Sequence, residues 1–230
     1  MRIKKKKAVV LLSGGLDSSV VLSIVIKKGF EPHCISFNYG QRHRREITFA
    51  KKQANIQRVF SHKVFNIDFF GGSSLTDNIE VPMNKNVKQI PNIIPKTYVP
   101  ARNTIFLSYA LGYAEFLGCK DIFLGVNAID YSGYPDCRPE FIRAFQKLSN
   151  LATKIGIEGQ RIKIHTPLIK LTKKDIILTG IKNNVNFKIT ASCYNPSRDI
   201  SCGKCDSCLL RKKGFDEAKI KDPILYDKNI

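Results

Sequence analysis

Short apolar runs alternate with longer amphipathic stretches along most of the chain. The apolar runs predict five strands, at residues 8–12, 32–39, 59–67, 121–127 and 162–164. The amphipathic stretches predict helices at residues 20–28, 41–57, 101–117, 140–155 and 173–183. Strands that alternate with helices in this way are typical of an α/β fold with a doubly wound parallel sheet. Because such sheets bind ligands at the carboxyl ends of their strands, the loops that follow the strands are the first places to search for a site.

The loop after the first strand has the sequence SGGLDSS, at residues 13–19. At a turn from strand to helix, free backbone N–H groups and the positive end of the helix dipole face outward. Gly14 and Gly15 let the main chain approach an anion closely, because neither carries a Cβ. Asp17 can hold a cation or a water, and three hydroxyls add donors: Ser13, Ser18 and Ser19. A plain Gly-Gly turn would also join strand to helix, but this whole string falls at the junction that a phosphate site requires.

This loop differs from the commoner phosphate loop. A Walker loop spaces its glycines further apart and ends in Gly-Lys-Ser or Gly-Lys-Thr, whereas no lysine stands in or directly after SGGLDSS. The motif resembles the pyrophosphate loop (PP-loop) of N-type ATP pyrophosphatases. In that superfamily the loop grips the β- and γ-phosphates and leaves the α-phosphorus open to attack. The resemblance therefore implies that the products are an adenylate and pyrophosphate.

Length and composition set the broad class of protein. The 230 residues, 43% of them hydrophobic, suffice for one large domain or for one domain and a small module. No apolar run is long enough for a membrane span or for a signal-peptide core, so we expect a soluble, cytoplasmic protein without membrane partners. The net charge of +19 would suit a nucleic-acid partner. Its lysines are scattered, however, and a general bias of composition explains them without a dedicated nucleic-acid site.

The second strong signal lies near the C-terminal end, where four of the seven cysteines occur in one stretch: Cys193, Cys202, Cys205 and Cys208. Two overlapping Cys-x-x-Cys steps place three thiolates on one tight turn, and Gly203 relieves the backbone there. Four sulfurs complete a tetrahedral zinc site without an open position, which predicts one structural Zn²⁺ per chain. An iron–sulfur cluster and a pair of disulfides remain as alternatives.

The other three cysteines are isolated in the sequence. Cys34 lies in an apolar strand and Cys119 follows a helix, so both are interpreted as small packing residues. Cys137 stands in a polar loop and could line a site.

Three further segments follow predicted strands or open a helix at the same edge of the sheet, at residues 39–43, 100–104 and 127–138. Each mixes charge, hydroxyl groups and glycine, and each taken alone could be an ordinary polar loop. Together at one edge they indicate a site. The stretch at residues 71–100 is long and proline-containing, which is typical of a lid or a binding loop.

These motifs occur in one order that is similar to a known family. The segments are SGGLDSS, FNYGQRHRREI, YVPARNTIFLS, GVNAIDYSGYPDCRPEFI, TPLIKLTKKDI and the four-cysteine run. From about Val9 to about Arg211 the chain resembles the 7-cyano-7-deazaguanine synthases, which form a nitrile in queuosine precursor synthesis. The resemblance implies an ATP-dependent ligase acting on 7-carboxy-7-deazaguanine and ammonia. It further implies Mg²⁺ with the ATP and a homodimer, with no stable nucleic-acid partner.

The resemblance also implies roles for single residues, and Asp17 and Arg102 are the predicted catalytic pair. Asp17 would order Mg²⁺, and Arg102 would face the α-phosphate or the substrate carboxylate. The predicted nucleotide-binding residues are Leu12, Ser13, Gly14, Gly15, Leu16, Asp17, Ser18, Ser19 and His43. The predicted substrate-binding residues are Asn127, Asp130, Tyr131, Tyr134, Asp136 and Arg138. The chain would divide into an ATP-binding α/β domain at residues 1–185 and a zinc-binding segment at residues 186–230.

Two other functions compete with this reading. A PP-loop tRNA-modifying enzyme such as a sulfurtransferase would share the loop and would explain the basic charge. It needs a sulfur-carrying cysteine or a cluster near the nucleotide, and Cys137 is the candidate cysteine. Alternatively, the C-terminal cysteines could form a zinc-ribbon module for nucleic acid, in which case salt-dependent RNA binding without ATP turnover is expected.

Overall fold

All five predicted strands form one parallel sheet. The structure, a computed structural model, describes residues 5–41, 45–68, 71–91, 93–127, 133–198 and 200–227. The strands are β1 (Lys7–Leu11), β2 (Glu31–Asn38), β3 (Ser61–Asn66), β4 (Asp121–Phe123) and β5 (Lys163–His165). Their order is β3-β2-β1-β4-β5, and every neighbouring pair is parallel. The predicted doubly wound α/β sheet is therefore confirmed.

The winding of the sheet reverses at β1. From β1 the chain moves outward through β2 to β3 and then crosses to β4 and β5 on the other side. A crevice opens at such a switch point, outside the carboxyl ends of the two central strands. Residues 12–15, the start of the predicted phosphate loop, leave β1 at this place.

Seven helices occur in the described residues: α1 (Leu16–Lys27), α2 (Arg45–Ile56), α3 (Arg102–Phe116), α4 (Pro139–Leu151), α5 (Lys154–Ile157), α6 (Lys173–Lys182) and α7 (Asp206–Glu217). The start of α1 differs from the prediction, which placed it at residue 20. The hydroxyls of Ser18 and Ser19 donate to the backbone oxygen of Gly15, at 3.1 and 2.8 Å, and the backbone N–H of Ser19 donates to the same oxygen, so both serines lie in the first helical turn.

The sheet is covered on both faces, so β1 is apolar throughout. Val9 and Leu11 face a core that α3 and α4 complete. Ala8 and Val10 face the opposite core, which includes α1, α6 and α7. A strand buried on both faces reads as a continuous apolar run, which is why the sequence identified β1 so clearly.

The C-terminal segment packs into the second core. Phe187 and Phe215 are buried beside residues of α1 and α6, and their rings meet edge to face. The predicted domain boundary between residues 185 and 186 stays a prediction, because residues on both sides of it belong to the same hydrophobic core.

The long connection at residues 71–100 joins the site to the cysteine stretch. Leu75 contributes to the lining of the cleft. Further along, Val81 packs on the cysteines, and the amide of Asn84 donates to the carboxylate of Asp206 at 2.7 Å. The segment thus lies across the face that joins the cleft to the C-terminal stretch. Among the helices of the described residues, none has both the length and the apolar character needed to span a bilayer.

Candidate active site

A cleft of about 300 Å³ lies at the carboxyl ends of β1, β2 and β4. This size is within the range of small-molecule sites. One wall is formed by the SGGLDSS loop, and the opposite wall by α3 and the segment after β4. Six side chains carry the argument that follows: Asp17, Glu46, Arg102, Tyr134, Lys173 and Tyr194.

The phosphate loop is held in one shape by its own side chains and by α2. The Ser13 hydroxyl donates to the Ser18 hydroxyl at 3.0 Å and accepts from the backbone N–H of Gly15 at 3.3 Å. Gly14 has φ +84°, and a Cβ built on it would lie 2.2 Å from the backbone oxygen of Glu46. The loop therefore packs directly on the first turn of α2, and only glycine fits at residue 14.

Replacing Gly14 by alanine should cost the protein both stability and nucleotide binding. The positive φ alone costs about 1–2 kcal/mol, and displacing the backbone of α2 adds about 1–3 kcal/mol. Gly29→Ala is the matched control, because Gly29 has φ +80° with nothing within 4 Å of the added Cβ. Urea denaturation and ATP titration of both variants measure the difference. Equal losses in the two variants would show that the contact with α2 is unimportant.

Asp17 is paired with a lysine from a distant part of the chain. Lys173 Nζ donates to both carboxylate oxygens of Asp17 at 2.9 Å. Lys173 opens α6 directly after Thr172, whose side chain and Asp175 form the capping box at the start of that helix. The loop itself lacks the lysine of a Walker loop. In the folded chain α6 supplies a lysine instead, at the position where phosphate charge would lie.

Arg102 stands on the opposite wall among tyrosines. Its Nη1 donates to the Tyr39 hydroxyl at 3.5 Å, and its guanidinium carbon lies 6.0 Å from the centre of the Tyr134 ring. The hydroxyl of Tyr134 lies 2.8 Å from the Thr97 hydroxyl and 3.4 Å from that of Tyr194. Burial raises the pKa of Tyr39 to about 12, so this phenol stays neutral beside the cation. The arrangement offers a fixed positive charge with aromatic surface around it.

The remaining wall of the cleft is apolar and aromatic. Phe37 and Phe106 stack with centroids 4.1 Å apart and planes 10° apart, and both line the cleft with Leu11 and Leu124. A flat heterocycle can bind against such a surface.

The predicted substrate residues occupy different places. Asn127 and Tyr134 line the cleft. Asp136 is buried, and its Oδ2 accepts from the backbone N–H of Asn103 at 2.9 Å, so it holds the start of α3. Arg138 is exposed and its Nε donates to the backbone oxygen of Pro135. Contact of any of these four with substrate stays a prediction. Three other predicted residues lie outside the described residues: His43, Asp130 and Tyr131.

Cys137 lines the cleft, as its loop position suggested. It is buried and its sulfur accepts from the side-chain amide of Asn103 at 3.2 Å. Burial raises the pKa of its thiol to about 12, and the nearby Asp136 adds to the shift. Since the thiolate is the nucleophile, this environment is the opposite of the one that activates a cysteine.

The C-terminal segment supports the phosphate loop from behind. The backbone N–H of Ala191 donates to the backbone oxygen of Gly14 at 2.9 Å. Arg211, which is 1% exposed, holds that segment through hydrogen bonds to Thr190 Oγ1 at 2.7 Å and Ser192 Oγ at 3.2 Å. Two further bonds, at 2.8 and 2.9 Å, join its guanidinium to Asp222. Arg211 therefore links α7 to the loop that would bind ATP.

The four predicted metal ligands come together in space. The sulfurs of Cys193, Cys202, Cys205 and Cys208 all lie within 4.8 Å of one another. Tetrahedral zinc with bonds of about 2.3 Å needs sulfurs about 3.8 Å apart, so the set fits the ion. Gly203 has φ +71°, which is the backbone relief that the sequence predicted for this turn.

Backbone groups around the sulfurs favour the thiolate form. Cys193 Sγ accepts from the backbone N–H groups of Asn195 and Cys202, at 3.3 and 3.2 Å. Cys208 lies in the first turn of α7, where the helix dipole stabilises negative charge. Hydrogen bonding with Cys193 lowers the pKa of the Cys202 thiol and raises that of the Cys208 thiol, because the four sulfurs share their protons when no ion is bound. The cluster is thus a site for a metal ion that prefers thiolate ligands.

Sequence reasoning assigned no role to several residues of the cleft: Glu46, Lys173, Tyr194 and Arg211. Two of them stand in segments that were quoted for other reasons, Glu46 in FNYGQRHRREI and Lys173 in TPLIKLTKKDI. The usable signal was position, because each segment follows a strand at the edge where the loop lies. Tyr194 and Arg211 carried no signal of this kind.

Comparison with known proteins shows which family the chain resembles along its length. A family model described as queuosine biosynthesis protein QueC matches residues 7–219. The chain is 56% identical over 227 residues to a 7-cyano-7-deazaguanine synthase of Geobacter sp. (strain M21), covering 97% of this chain and 99% of that protein. It is 54% identical over 225 residues to the 7-cyano-7-deazaguanine synthase of Rickettsia akari (strain Hartford), covering 96% and 99%.

One solved structure shares the fold at low sequence identity. The NMN synthetase from Francisella tularensis has a TM-score of 0.50 and 19% identity, covering 94% of this chain and 74% of that chain. The matches to the synthases, by contrast, extend over nearly the whole of both sequences. The chain therefore belongs to the queuosine biosynthesis protein QueC family.

Proposed function

We propose that this protein is an ATP-dependent ligase that converts 7-carboxy-7-deazaguanine and ammonia to 7-cyano-7-deazaguanine. The observation that carries the proposal is the full-length similarity to synthases of that name, at 56% identity. The cleft supplies what such a reaction needs, because a pyrophosphate-type loop faces a fixed cation and an aromatic wall across one cavity.

The chemistry requires activation of a poor electrophile. The substrate carboxylate attacks the α-phosphorus of ATP, pyrophosphate leaves, and the carboxyl oxygen becomes part of an AMP leaving group. Ammonia then displaces AMP and gives an amide. A second activation, now of the amide oxygen, followed by loss of AMP gives the nitrile. No covalent enzyme nucleophile is required in this scheme.

Each wall of the cleft serves one part of this chemistry. Residues 12–19 would hold the β- and γ-phosphates through backbone N–H groups and hydroxyls. Lys173 would neutralise phosphate charge, and Asp17 would hold Mg²⁺, which supplies charge neutralisation at the phosphates when bound. Arg102 would orient the substrate carboxylate, and Phe37 and Phe106 would pack against one of the two heterocycles.

The rival function, a tRNA sulfurtransferase, is disfavoured by the same site. Its candidate sulfur carrier, Cys137, is a buried thiol whose pKa is raised to about 12. The family match is to synthases along residues 7–219. We therefore place Cys137 among the packing residues of the pocket wall.

The same proposal includes the metal ion, the cell compartment and the oligomeric state of the enzyme. The four-cysteine cluster would hold one structural Zn²⁺ per chain, as its geometry allows. We propose a cytoplasmic homodimer that has no stable nucleic-acid partner. Exposed apolar side chains at the ends of α3, α4 and α5 are candidates for its interface: Phe116, Leu151 and Ile157.

The mass of the product tests the proposed reaction. Incubation with ATP, 7-carboxy-7-deazaguanine and ¹⁵N-labelled ammonium should give a nitrile that carries the label, with AMP and pyrophosphate as coproducts. Omission of ATP is the control and should leave the acid unchanged. A product without the labelled nitrogen, or turnover of ATP to ADP and phosphate, would contradict the proposal.

A further inference from the structure

Glu46 is a carboxylate of the cleft that the scheme above leaves without a role. It lies in the first turn of α2, and its backbone oxygen is the atom that packs against Gly14 of the phosphate loop. Among the described residues that line the cleft, only Asp17 and Glu46 carry a carboxylate. Asp17 is held by Lys173 at 2.9 Å on both oxygens. Within the part of the chain that the structure describes, Glu46 makes no such side-chain pair.

Glu46 lines the same cleft as the two groups that would hold the reacting carbon. Its backbone contacts the loop for the β- and γ-phosphates. Arg102, the proposed ligand of the substrate carboxylate, lines the cleft with it and acts electrostatically on its carboxyl. An acyl adenylate that spans the loop and Arg102 would carry its carbonyl carbon inside this cleft. Of the two carboxylates that line it in the described residues, Glu46 is the one that no lysine holds, and it is thus available to an amine that enters.

Burial and the charge around Glu46 place its carboxyl between the protonated and the ionised form near neutral pH. The charged and titratable groups that line the cleft with it include Asp17, Lys173, Arg102 and Tyr39. A second pocket beside α2 brings in Arg45, Lys52 and Lys188. Burial raises the pKa of Glu46 to about 7, although Arg102 opposes the shift. A carboxyl of this kind can both accept and release a proton near neutral pH.

Ammonia creates the need for such a group. At neutral pH it is present mainly as ammonium, which has no lone pair and cannot attack a carbonyl carbon. A half-buried carboxylate such as that of Glu46 can bind this cation by charge-assisted hydrogen bonds and then take one of its protons. Neither Arg102 nor Lys173 can do so, because both are cations.

We propose that the Glu46 carboxylate is the ammonium-binding group and the proton acceptor of the amide-forming step. Ammonium gives one proton to the carboxylate and becomes ammonia. The nitrogen lone pair attacks the acyl carbon, and the bond from that carbon to the AMP oxygen breaks with its electron pair on AMP. The nitrogen loses a second proton to solvent, which leaves the neutral amide, AMP and a protonated Glu46 that returns its proton to water. This assignment rests on the proposed function.

A neutral nucleophile distinguishes a proton-accepting role of Glu46 from a purely structural role. Hydroxylamine is unprotonated at neutral pH, so it should attack the adenylate and give a hydroxamate without help from a base. In Glu46→Gln we expect kcat/KM for ammonium to fall about 100-fold or more, the usual size of a general-base effect. Hydroxamate formation and ATP–pyrophosphate exchange without any amine should change less than about threefold, well below that general-base effect. Glu46→Asp should recover part of the ammonium activity.

Glu158→Gln is the matched control, because Glu158 is an exposed residue at the end of α5. It should leave all three rates unchanged. Parallel losses with ammonium and hydroxylamine in Glu46→Gln would overturn the assignment, as would an unchanged ammonium rate. If the wild-type enzyme fails to exchange pyrophosphate in the presence of the acid, the proposed function itself is wrong. If Glu46→Gln keeps pyrophosphate exchange but loses the reaction with ammonium, the exchange supports the proposed function and the loss supports the role of Glu46.

Discussion

Asp17→Ala should abolish adenylate formation while the protein stays folded. The carboxylate is the only acid in the phosphate loop, and it is the group that would hold Mg²⁺ beside the phosphates. Loss of one electrostatic group that acts on developing charge costs about 10²–10³-fold in rate, and loss of the metal position adds to it. We therefore expect ATP–pyrophosphate exchange to fall by about 1000-fold or more. Exchange of labelled pyrophosphate into ATP, with the acid substrate present, measures this step without ammonia.

The ion pair with Lys173 determines the effect of the same substitution on stability. The two side chains are 16% and 27% exposed, so solvent screens their attraction and the unfolding free energy should fall by no more than about 1 kcal/mol. Asp216→Ala, at an exposed acid of α7, is the control and should change neither quantity. An Asp17→Ala protein that exchanges pyrophosphate at nearly the wild-type rate would show that the loop has been assigned wrongly.

Loss of the zinc site should have the largest effect on stability. Binding of a structural zinc ion contributes directly to folding, and ions of this class contribute about 10 kcal/mol or more in small domains. In this larger chain we expect Cys208→Ser to lower the free energy of unfolding by at least about 3 kcal/mol, which corresponds to roughly 10 °C in Tm. Metal analysis should give one zinc per wild-type chain and substantially less in the variant.

The zinc site should also affect nucleotide binding, because Cys193 stands two residues from Ala191. The backbone bond from Ala191 to Gly14 fixes the phosphate loop at 2.9 Å. Loss of one such bond is worth about 1 kcal/mol, so the Kd for ATP should rise about fivefold even where the protein remains folded. Cys119→Ser, at a buried cysteine outside the cluster, should retain zinc and ATP affinity. Bound iron with visible absorbance would contradict the zinc assignment.

Much of the architecture could be predicted from residue pattern alone. β1 and β2 are almost entirely buried, and the continuous apolar run at residues 8–12 identifies β1 without any tertiary information. The run of β2 is interrupted by His33 and Ser36 and gives a weaker signal. The capping box at Thr172 and Asp175 marks the start of α6 in the sequence and is present in the structure. Local chemistry of this kind acts over a few residues, so it can be read from neighbours along the chain.

The sequence pattern gave the wrong first residue for α1. The prediction began α1 at residue 20, since SGGLDSS was treated as loop to its last residue. In the structure Ser18 and Ser19 are in the helix, and their hydroxyls donate back to the backbone oxygen of Gly15. Serine hydroxyls favour loops and helix starts equally, and only the geometry of the first turn decides between them.

By itself, the sequence determined the strands, the SGGLDSS loop and the four-cysteine set, because each is marked by residues that are close together in the chain. The order of the strands depends on pairs such as Val9 with Ile122, and the structure supplied it. Only the tertiary structure decided the partners of these residues. Lys173 reaches Asp17 across 156 positions, and Ala191 reaches Gly14 from the cysteine segment. It also placed Glu46 in one cleft with the loop and Arg102, whereas the sequence pointed only to the position of its segment after β2. Contacts of this kind depend on how α2, α6 and the C-terminal segment pack around β1, and packing is a property of the whole core.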